Sequence, residues 1–239
     1  MISARAIEGL PEVRPGDDLA ALLAPHVASG LVVVIAHKVV SKAEGRIRAL
    51  ADIEPGPEAH ALAAKLGKDP RHIQAVLDES VEVMRDERVL ICRTRHGFVC
   101  ANAGVDQSNA PADCVVLLPD DPDASARRLR AALPGRPAVV IADSFGRAWR
   151  IGQCDVAIGI AGLTAVDDWQ GRSDRSGRAL LATSIAIADE AAAAADLARA
   201  GKDAGEPVVL LSGLERHISD DDGPGVAPLI RAREDDLFR

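Results

Sequence analysis

Short runs of aliphatic and β-branched residues recur along the chain, each about as long as a buried strand. Two of the longest runs, Leu31–Ala36 and Ala138–Ala142, consist entirely of aliphatic residues. Arg95–Gly97 separates two further runs and predicts a hairpin turn. The predicted strands are Leu31–Ala36, Val89–Cys92, Phe98–Cys100, Val115–Leu118, Ala138–Ala142, Val156–Ile160 and Val208–Leu211.

Other segments carry apolar residues with the period near 3.6 that marks one face of a helix. Asp121 followed by Pro122 is a typical helix start, and Gly201 is a typical end for the longest helix. Strands and helices come in clusters and do not alternate strictly, which predicts an α+β fold and not a doubly wound sheet. The predicted helices are Asp17–Leu23, Glu58–Leu66, Arg71–Met84, Ala124–Leu133 and Arg178–Ala200.

The composition is that of a globular protein with an aliphatic core. Its 239 residues, 48% hydrophobic and 27% charged, suffice for one large domain or two small intertwined ones. Aromatic residues make up only 2%, so few side chains are available for base stacking. The formal net charge is −8, the opposite sign to a typical nucleic-acid-binding surface. We therefore expect no nucleic-acid partner.

The sequence predicts a soluble cytoplasmic protein with no membrane partner. No apolar run approaches the roughly 18 residues of a membrane span, and Met1–Arg5 does not start a secretory signal. The cysteines form no Cys-x-x-Cys pair, which argues against a zinc site and predicts buried, reduced thiols. They are Cys92, Cys100, Cys114 and Cys154.

Motifs of several common enzyme classes are missing. The sequence has no Gly-x-x-x-x-Gly-Lys-Ser/Thr loop, no Gly-x-Gly-x-x-Gly after a strand, no Gly-x-Ser-x-Gly and no His-Glu-x-x-His. These absences count against a P-loop nucleotide site, hydride transfer at a Rossmann site, and ordinary serine or zinc hydrolysis.

Polar residues gather in a few segments near predicted strand ends. After the strand Leu31–Ala36, Lys42 and Ser41 are suited to a phosphate group, although a solvated connection explains this segment equally well. Asp106 and Asn109 offer the oxygen ligands that Mg²⁺ or Mn²⁺ prefer, with an Asx turn as the alternative explanation.

A third polar segment follows the strand Ala138–Ala142, where Asp143 and Ser144 repeat the pairing of a carboxylate with a second oxygen. Farther on, Gly171–Arg178 contains three arginines at the start of the longest predicted helix. This segment suits an anion, and a surface loop with charge pairs is its alternative. Together, the segments predict a metal-dependent enzyme that handles phosphate.

Taken in order, several segments resemble the signature sequences of the coenzyme F420:L-glutamate ligase family, the gamma-glutamyl ligases. The resemblance extends from about residue 7 to about residue 215, and residues 216–239 are predicted to form a solvated C-terminal tail. The matching segments are Glu8–Pro11, Gly16–Leu19, His37–Arg46 (HKVVSKAEGR), Asn102–Asn109 (NAGVDQSN), Asp143–Arg150 (DSFGRAWR), Ala157–Gly162 (AIGIAG), Gly171–Arg178 (GRSDRSGR) and Ala188–Glu190.

The resemblance implies a GTP-dependent ligase that joins L-glutamate to the glutamate-free precursor of coenzyme F420 through an acyl phosphate. Later rounds extend a gamma-linked glutamate tail. The family fold implied is α+β, with two intertwined subdomains, and the protein is expected to be a homodimer. The resemblance also implies Mg²⁺ or Mn²⁺ at two sites and leaves open whether a monovalent cation such as K⁺ assists.

The resemblance assigns residues to the metal and to the nucleotide. Asp106, Asp143 and Ser144 fall on its metal positions. The sequence departs from the family at Lys202, where an acidic residue that supports the second metal is expected, so the second metal site is left open. The positions that fall on GTP contacts are Leu10, Pro11, Glu12, Val13, His37, Ser41, Lys42, Asn109, Gly201 and Lys202.

Two other functions stay open at this point. The substitution at Lys202 is compatible with a non-catalytic GTP- or phosphate-binding homologue that has lost a metal site. An oxidoreductase that binds the coenzyme without building it is disfavoured, because no sequence typical of a redox domain follows the ligase-like region.

Overall fold

The computed structural model describes residues 1–236, and its strands and helices lie in clusters along the chain. The strands are β1 (Ser3–Ala6), β2 (Val32–Ala36), β3 (Ile47–Ala49), β4 (Ser80–Asp86), β5 (Leu90–Thr94), β6 (Val99–Ala101), β7 (Cys114–Val116), β8 (Ala138–Arg147), β9 (Arg150–Ala161), β10 (Asp167–Asp168), β11 (Ser184–Ile185) and β12 (Val208–Ser212). The α-helices are α1 (Leu19–Leu23), α2 (His37–Ala43), α3 (Pro57–Leu66), α4 (Pro70–Asp78), α5 (Pro122–Ala132) and α6 (Ile187–Ala198).

The larger part of the molecule is built on a five-stranded sheet in the order β1-β12-β2-β8-β9. Two of the apolar runs, β2 and the first half of β8, form the only parallel pair of this sheet, in register from Val32 opposite Ala138 to Ala36 opposite Ala142. Helices α5 and α6 pack against β8 and β9. A completely buried strand pair needs no polar face, which explains the unbroken apolar runs.

Residues 47–117 form a smaller part with its own core. It contains the antiparallel sheet β4-β5-β6, the pair β3-β7, and the packed helices α3 and α4. Ile73, Leu90 and Val115 are completely buried in this second core. Phe98 and Cys100 come from the same stretch of chain but belong to the larger core. The predicted α+β fold of two intertwined subdomains is confirmed.

Most predicted elements are present, including the hairpin between β5 and β6 and the helix start at Asp121, whose side chain accepts a hydrogen bond from the Ala124 amide. The predicted helix Arg71–Met84 is wrong in its second half, because α4 ends at Asp78 and Ser80–Asp86 is a strand. Antiparallel pairing with β5 outweighs the local helical pattern there.

The structure decides one open alternative and corrects one further prediction. Residues 37–43 form helix α2, so they are not a solvated connection. The longest predicted helix begins at Ile187 and not at Arg178, because Ser184–Ile185 pairs with Asp167–Asp168 as a strand. The arginines of residues 171–178 therefore lie in an exposed loop and not at a helix N-terminus.

The expectation of a solvated C-terminal tail is wrong for much of the segment. Val226 is buried in the larger core, and its amide donates to the Asp123 carboxylate. Arg130 of α5 is only 2% exposed and reaches this segment, with Nη1 2.5 Å from Asp222 Oδ1 and Nη2 2.5 Å from the Ser219 carbonyl. One buried arginine thus ties the C-terminal segment to the fold.

We expect Arg130→Ala to lower the free energy of unfolding by about 3 kcal/mol. The substitution removes the buried cation and leaves the Asp222 carboxylate and the Ser219 carbonyl without their hydrogen bonds from Arg130. Chemical denaturation measures this loss. Arg136→Ala is the matched control, because Arg136 also contacts Asp222, at 3.3 Å, but is exposed. A loss below about 1 kcal/mol for Arg130→Ala, near the median for surface pairs, would contradict the anchoring role.

Candidate active site

The first group of candidate residues lies where the parallel pairing of β2 with β8 ends, at Ala36 and Ala142, although β8 itself continues to Arg147. Helix α2 starts directly after β2, which places the buried His37 beside Asp143 of β8. The His37 Nε2 atom is 3.3 Å from Asp143 Oδ1, although the pair is not aligned as a hydrogen bond. The other ring nitrogen, Nδ1, is 3.3 Å from the Ser41 hydroxyl. The carboxyl ends of parallel strands are the usual place for a ligand in an open sheet.

Asp106 reaches the same helix turn from the smaller part of the molecule. The Lys38 Nζ atom is 2.6 Å from Asp106 Oδ2 and 2.5 Å from the Ser108 hydroxyl. Burial tends to raise the pKa of Asp106, but hydrogen bonds from Lys38 and Ser108 outweigh it and lower the pKa. Because Lys38 follows His37, both carboxylates lie at the first turn of α2. We call His37, Lys38, Asp106 and Asp143 the aspartate corner.

The aspartate corner contains two carboxylates, Asp106 and Asp143, which are the ligand type that a divalent cation shared with a substrate requires. Asp143 is 17% exposed, and its Oδ1 also accepts the Ser144 amide at 2.8 Å. Among residues 1–236, no three His, Cys, Asp or Glu side chains are grouped as a complete metal site. Mg²⁺ is commonly held by one or two carboxylates, with substrate phosphates and water supplying the other ligands. Asp106 and Asp143 are the residues that would hold it.

A second group of charges surrounds Ser144, the residue after Asp143. The Ser144 hydroxyl donates to Asp155 Oδ1 at 2.5 Å, and Arg199 donates to Asp155 Oδ2 at 2.5 Å. The Lys202 Nζ atom is 2.9 Å from the Ser144 hydroxyl, 3.1 Å from Asp155 Oδ1 and 2.5 Å from Asp196 Oδ1. We call Ser144, Asp155, Asp196, Arg199 and Lys202 the lysine corner.

The lysine corner does not fit a second divalent cation. Lys202 contacts three of the oxygens that a cation beside Ser144 would use. Two carboxylates, Asp155 and Asp196, already face two cationic side chains, Arg199 and Lys202. Burial tends to raise the pKa of Asp155, but the Ser144 and Arg199 hydrogen bonds lower it overall. Asp155 therefore stays ionised, and the ammonium group balances its charge.

The residues that the resemblance assigns to GTP are divided among several places. Pro11 and Glu12 line an open cavity of about 600 Å³ beside α1. Lys42 is largely buried, and its Nζ lies 2.5 Å from Glu12 Oε1. Val13 and Ser41 are buried, Leu10 is half-buried, Asn109 is exposed in a left-handed conformation with φ 57°, and Gly201 and Lys202 begin the loop after α6.

The structure thus joins His37 with Asp143, Asp106 with the same helix turn, and Ser144 with Lys202. It also supplies polar partners that sequence reasoning missed, namely Lys38, Asp155, Asp196 and Arg199. Asp155 could have been recognised from the sequence as a candidate, since it is a carboxylate immediately before the apolar run Val156–Ile160. Lys38 and Asp196 lie on helices, where charged side chains are normally solvated, and Arg199 follows directly after α6.

All four cysteines are free, and Cys154 touches the lysine corner, since its thiol donates to the Asp155 carbonyl at 3.5 Å. Cys92 and Cys100 are buried, as predicted, whereas Cys114 and Cys154 are only half-buried. Burial, with a smaller contribution from the nearby Asp143 charge, raises the pKa of Cys100 to about 12. The Cys100 thiol is therefore not a nucleophile at neutral pH.

Comparison with known proteins identifies the class to which this fold and site belong. Residues 9–213 match the profile of the F420-0:gamma-glutamyl ligase family. The chain is 44% identical to the coenzyme F420:L-glutamate ligase of Methanothermobacter thermautotrophicus, over 100% of this chain and 99% of the relative. It is 46% identical to the ligase of the same name from Natronomonas pharaonis, over 100% and 95% of the two chains.

A third relative, the coenzyme F420:L-glutamate ligase of Archaeoglobus fulgidus, is 42% identical over 98% of this chain and 94% of the relative. The chain belongs to the coenzyme F420:L-glutamate ligase family. No helix within residues 1–236 has both the length and the apolar character needed to cross a bilayer.

Proposed function

We propose that the protein is a GTP-dependent ligase that adds L-glutamate to the glutamate-free precursor of coenzyme F420. The single observation that carries this proposal is the identity of 42–46% to ligases of that name along essentially the whole chain. In this proposal the aspartate corner binds the metal and the phosphates, and the lysine corner supplies fixed positive charge. The contacts among their side chains support these roles.

In the first proposed step, a carboxylate oxygen of the precursor attacks the γ-phosphorus of GTP, and the bond from that phosphorus to the β-bridging oxygen breaks. The products of this step are an acyl phosphate and GDP. A divalent cation bound at the aspartate corner would offset charge on the phosphate oxygens. Asp106 and Asp143 would hold it, and His37 orients Asp143 through the 3.3 Å contact.

In the second proposed step, the neutral α-amine of L-glutamate attacks the acyl carbon, inorganic phosphate leaves, and one proton is released from nitrogen. An activated acid separates phosphoryl transfer from amide formation, so the enzyme mainly positions its substrates and stabilises charge. In later rounds the side-chain carboxylate of the last glutamate is phosphorylated, and the tail grows through gamma linkages.

We further propose that one divalent ion serves this site and that the Lys202 ammonium supplies the second positive charge. Support comes from the contacts of Nζ with Ser144, Asp155 and Asp196. The desolvation of Lys202 tends to lower its pKa, but hydrogen bonds from its amine to Asp196 and Asp155 raise it overall. The side chain is therefore cationic at neutral pH.

The same contacts favour a second candidate function, a GTP-binding homologue without ligase activity. If the chemistry requires a second divalent ion, the ammonium at Ser144 blocks it. This alternative predicts that GTP binds but is not consumed when the precursor and L-glutamate are present.

One experiment separates these two functions. The protein is incubated with precursor, L-glutamate, GTP and MnCl₂, and the products are analysed by mass spectrometry and by GDP release. The ligase predicts a ladder of glutamyl units with one GDP for each unit, and it predicts no ladder when EDTA is present. Bound but unconsumed GTP would support the binding homologue and contradict the ligase.

We also propose that the protein is a homodimer. Trp149 and Ile151, at the turn between β8 and β9, are 84% and 100% exposed, and large apolar side chains at such a tip often contact another chain. Light scattering on the purified protein is expected to give twice the chain mass. Ile151→Lys is expected to weaken the dimer, whereas Leu181→Lys, at a leucine that is 83% exposed and lies away from this turn, is the control. A monomeric wild-type protein would contradict the proposal.

A further inference from the structure

A cavity of about 460 Å³ lies between the smaller sheet, the β8–β9 hairpin and the C-terminal segment. Its volume lies within the usual range for small-molecule sites. Most of its lining is apolar, and the C-terminal residues Val226, Leu229 and Ile230 form one wall. None of the predicted metal- or GTP-binding residues lines it.

The walls of this cavity contain aromatic surface that is scarce elsewhere in the chain. The sequence has three phenylalanines and no tyrosine, and two of the phenylalanines, Phe98 and Phe145, line the cavity. Their ring centroids are 6.2 Å apart and the rings are nearly perpendicular, at 72°. Such an edge-to-face pair presents both a ring face and a ring edge, which suits a planar aromatic ligand.

The cavity adjoins the aspartate corner. Val156 lies directly opposite Asp143 in the β8–β9 register and lines the cavity. Phe145 is two residues beyond Asp143, so both side chains point to the same face of the hairpin. Directly opposed residues have Cβ atoms about 5 Å apart. A ligand whose ring fills the cavity can therefore extend its chain toward Asp143.

Charge at the cavity wall favours an acidic ligand. Its lining contains three arginines, Arg85, Arg93 and Arg231, and two carboxylates, Asp189 and Asp236. The wall therefore carries more positive than negative groups, although the chain as a whole has a net charge of −8. Arg93 also contacts Glu82 at 3.4 Å, but the Arg85 contact is with the Met84 carbonyl. Guanidinium groups of this kind bind phosphate and carboxylate groups with good geometry.

From these observations we propose that the cavity binds the planar ring system of the carboxylate-bearing precursor and directs its acidic chain to the aspartate corner. This assignment rests on the proposed ligase function and adds the subsite of the acid substrate. The guanine base is the competing occupant. It is disfavoured because Pro11 and Glu12, on the nucleotide segment, line the separate cavity beside α1.

Asp189 adds a half-buried carboxyl to the cavity wall. Its Oδ1 accepts the Ala157 amide at 2.9 Å, and its pKa is raised by burial. A few polar groups in an apolar pocket normally fix the orientation of a ligand.

Isothermal titration of the glutamate-free precursor into the full-length protein, without L-glutamate, tests the assignment. Phe145→Leu removes the aromatic wall, and Arg85→Gln removes an exposed cation that the fold does not need. We expect each to raise the precursor Kd about tenfold. The KM for GTP should stay within about twofold of the wild-type value. Matched controls are Trp169→Leu and Arg88→Gln, which alter an aromatic and an arginine outside the cavity.

Unchanged precursor affinity in both Phe145→Leu and Arg85→Gln would overturn the assignment. A selective loss of GTP affinity in these variants would also overturn the assignment, because it would show that the cavity binds guanine. If the wild-type protein binds the precursor but forms no glutamylated product, the proposed ligase function fails. The affinities of the two variants still decide the cavity in that case. Thermal unfolding of each variant separates lost binding from lost folding.

Discussion

Replacing Asp143 by asparagine is expected to lower kcat/KM for GTP at least about 100-fold while the protein stays folded. A neutral amide binds a hard divalent cation much less strongly than a carboxylate does. A 100-fold loss corresponds to about 2.7 kcal/mol of transition-state stabilisation. The fold should survive, because Asp143 is partly exposed and its partners are the Ser144 amide and His37.

Two measurements test the role of Asp143 separately. Initial rates at increasing MnCl₂ show whether the variant needs more metal, and denaturation shows whether it has lost stability. Asp78→Asn is the matched control, since Asp78 is an ion-paired carboxylate on α4 with no part in either corner. Turnover near the wild-type rate at ordinary metal concentration would remove Asp143 from the metal site.

The sequence predicts the parts of the fold that follow from local burial. The runs 31–36 and 138–142 have no polar residue because both strands are covered on each face, so their pattern alone identifies them. Ser80–Asp86 is different, because only pairing with β5 makes it a strand. Its residues carry no local sign of that pairing, and neither do those of the two-residue strand Ser184–Ile185.

In the candidate site, too, some residues are recognisable from their neighbours in the sequence, whereas the contacts between them depend on the fold. Asp143 is detectable because a carboxylate directly after an apolar strand is chemically costly unless it has a use. Its contact with His37 depends on β2 and β8 being parallel neighbours, which no local pattern specifies. The pairing of Lys38 with Asp106 joins residues 68 positions apart and is known only from the fold.

The position of the Lys202 ammonium group in the lysine corner depends on the fold and not on the local sequence. The resemblance implies that Lys202 stands where the family has an acidic residue, but it does not indicate where the ammonium group lies. The structure places this group against Ser144, Asp155 and Asp196, so the departure changes a charge in the site and not merely a surface residue. Compensation comes from acidic residues 6 and 47 positions away in the sequence.

Lys202→Gln is expected to change the metal stoichiometry of the protein. The wild-type protein should bind one Mn²⁺ for each active site in the presence of GDP. Removing the ammonium leaves Asp155 and Asp196 facing Arg199 alone, a net charge of −1 beside the Ser144 hydroxyl. The glutamine carbonyl adds a neutral oxygen ligand, so this variant should bind a second Mn²⁺.

Titration of free Mn²⁺ by electron paramagnetic resonance measures this number without relying on activity. Lys202→Arg keeps the positive charge and should keep one Mn²⁺, which makes it the matched control. In turnover, Lys202→Gln should show a lower kcat/KM for GTP at low metal concentration and recover as metal rises, because the cation it lost is replaced from solution. Two Mn²⁺ in the wild-type protein, or one in Lys202→Gln, would show that the lysine does not take the place of a metal ion.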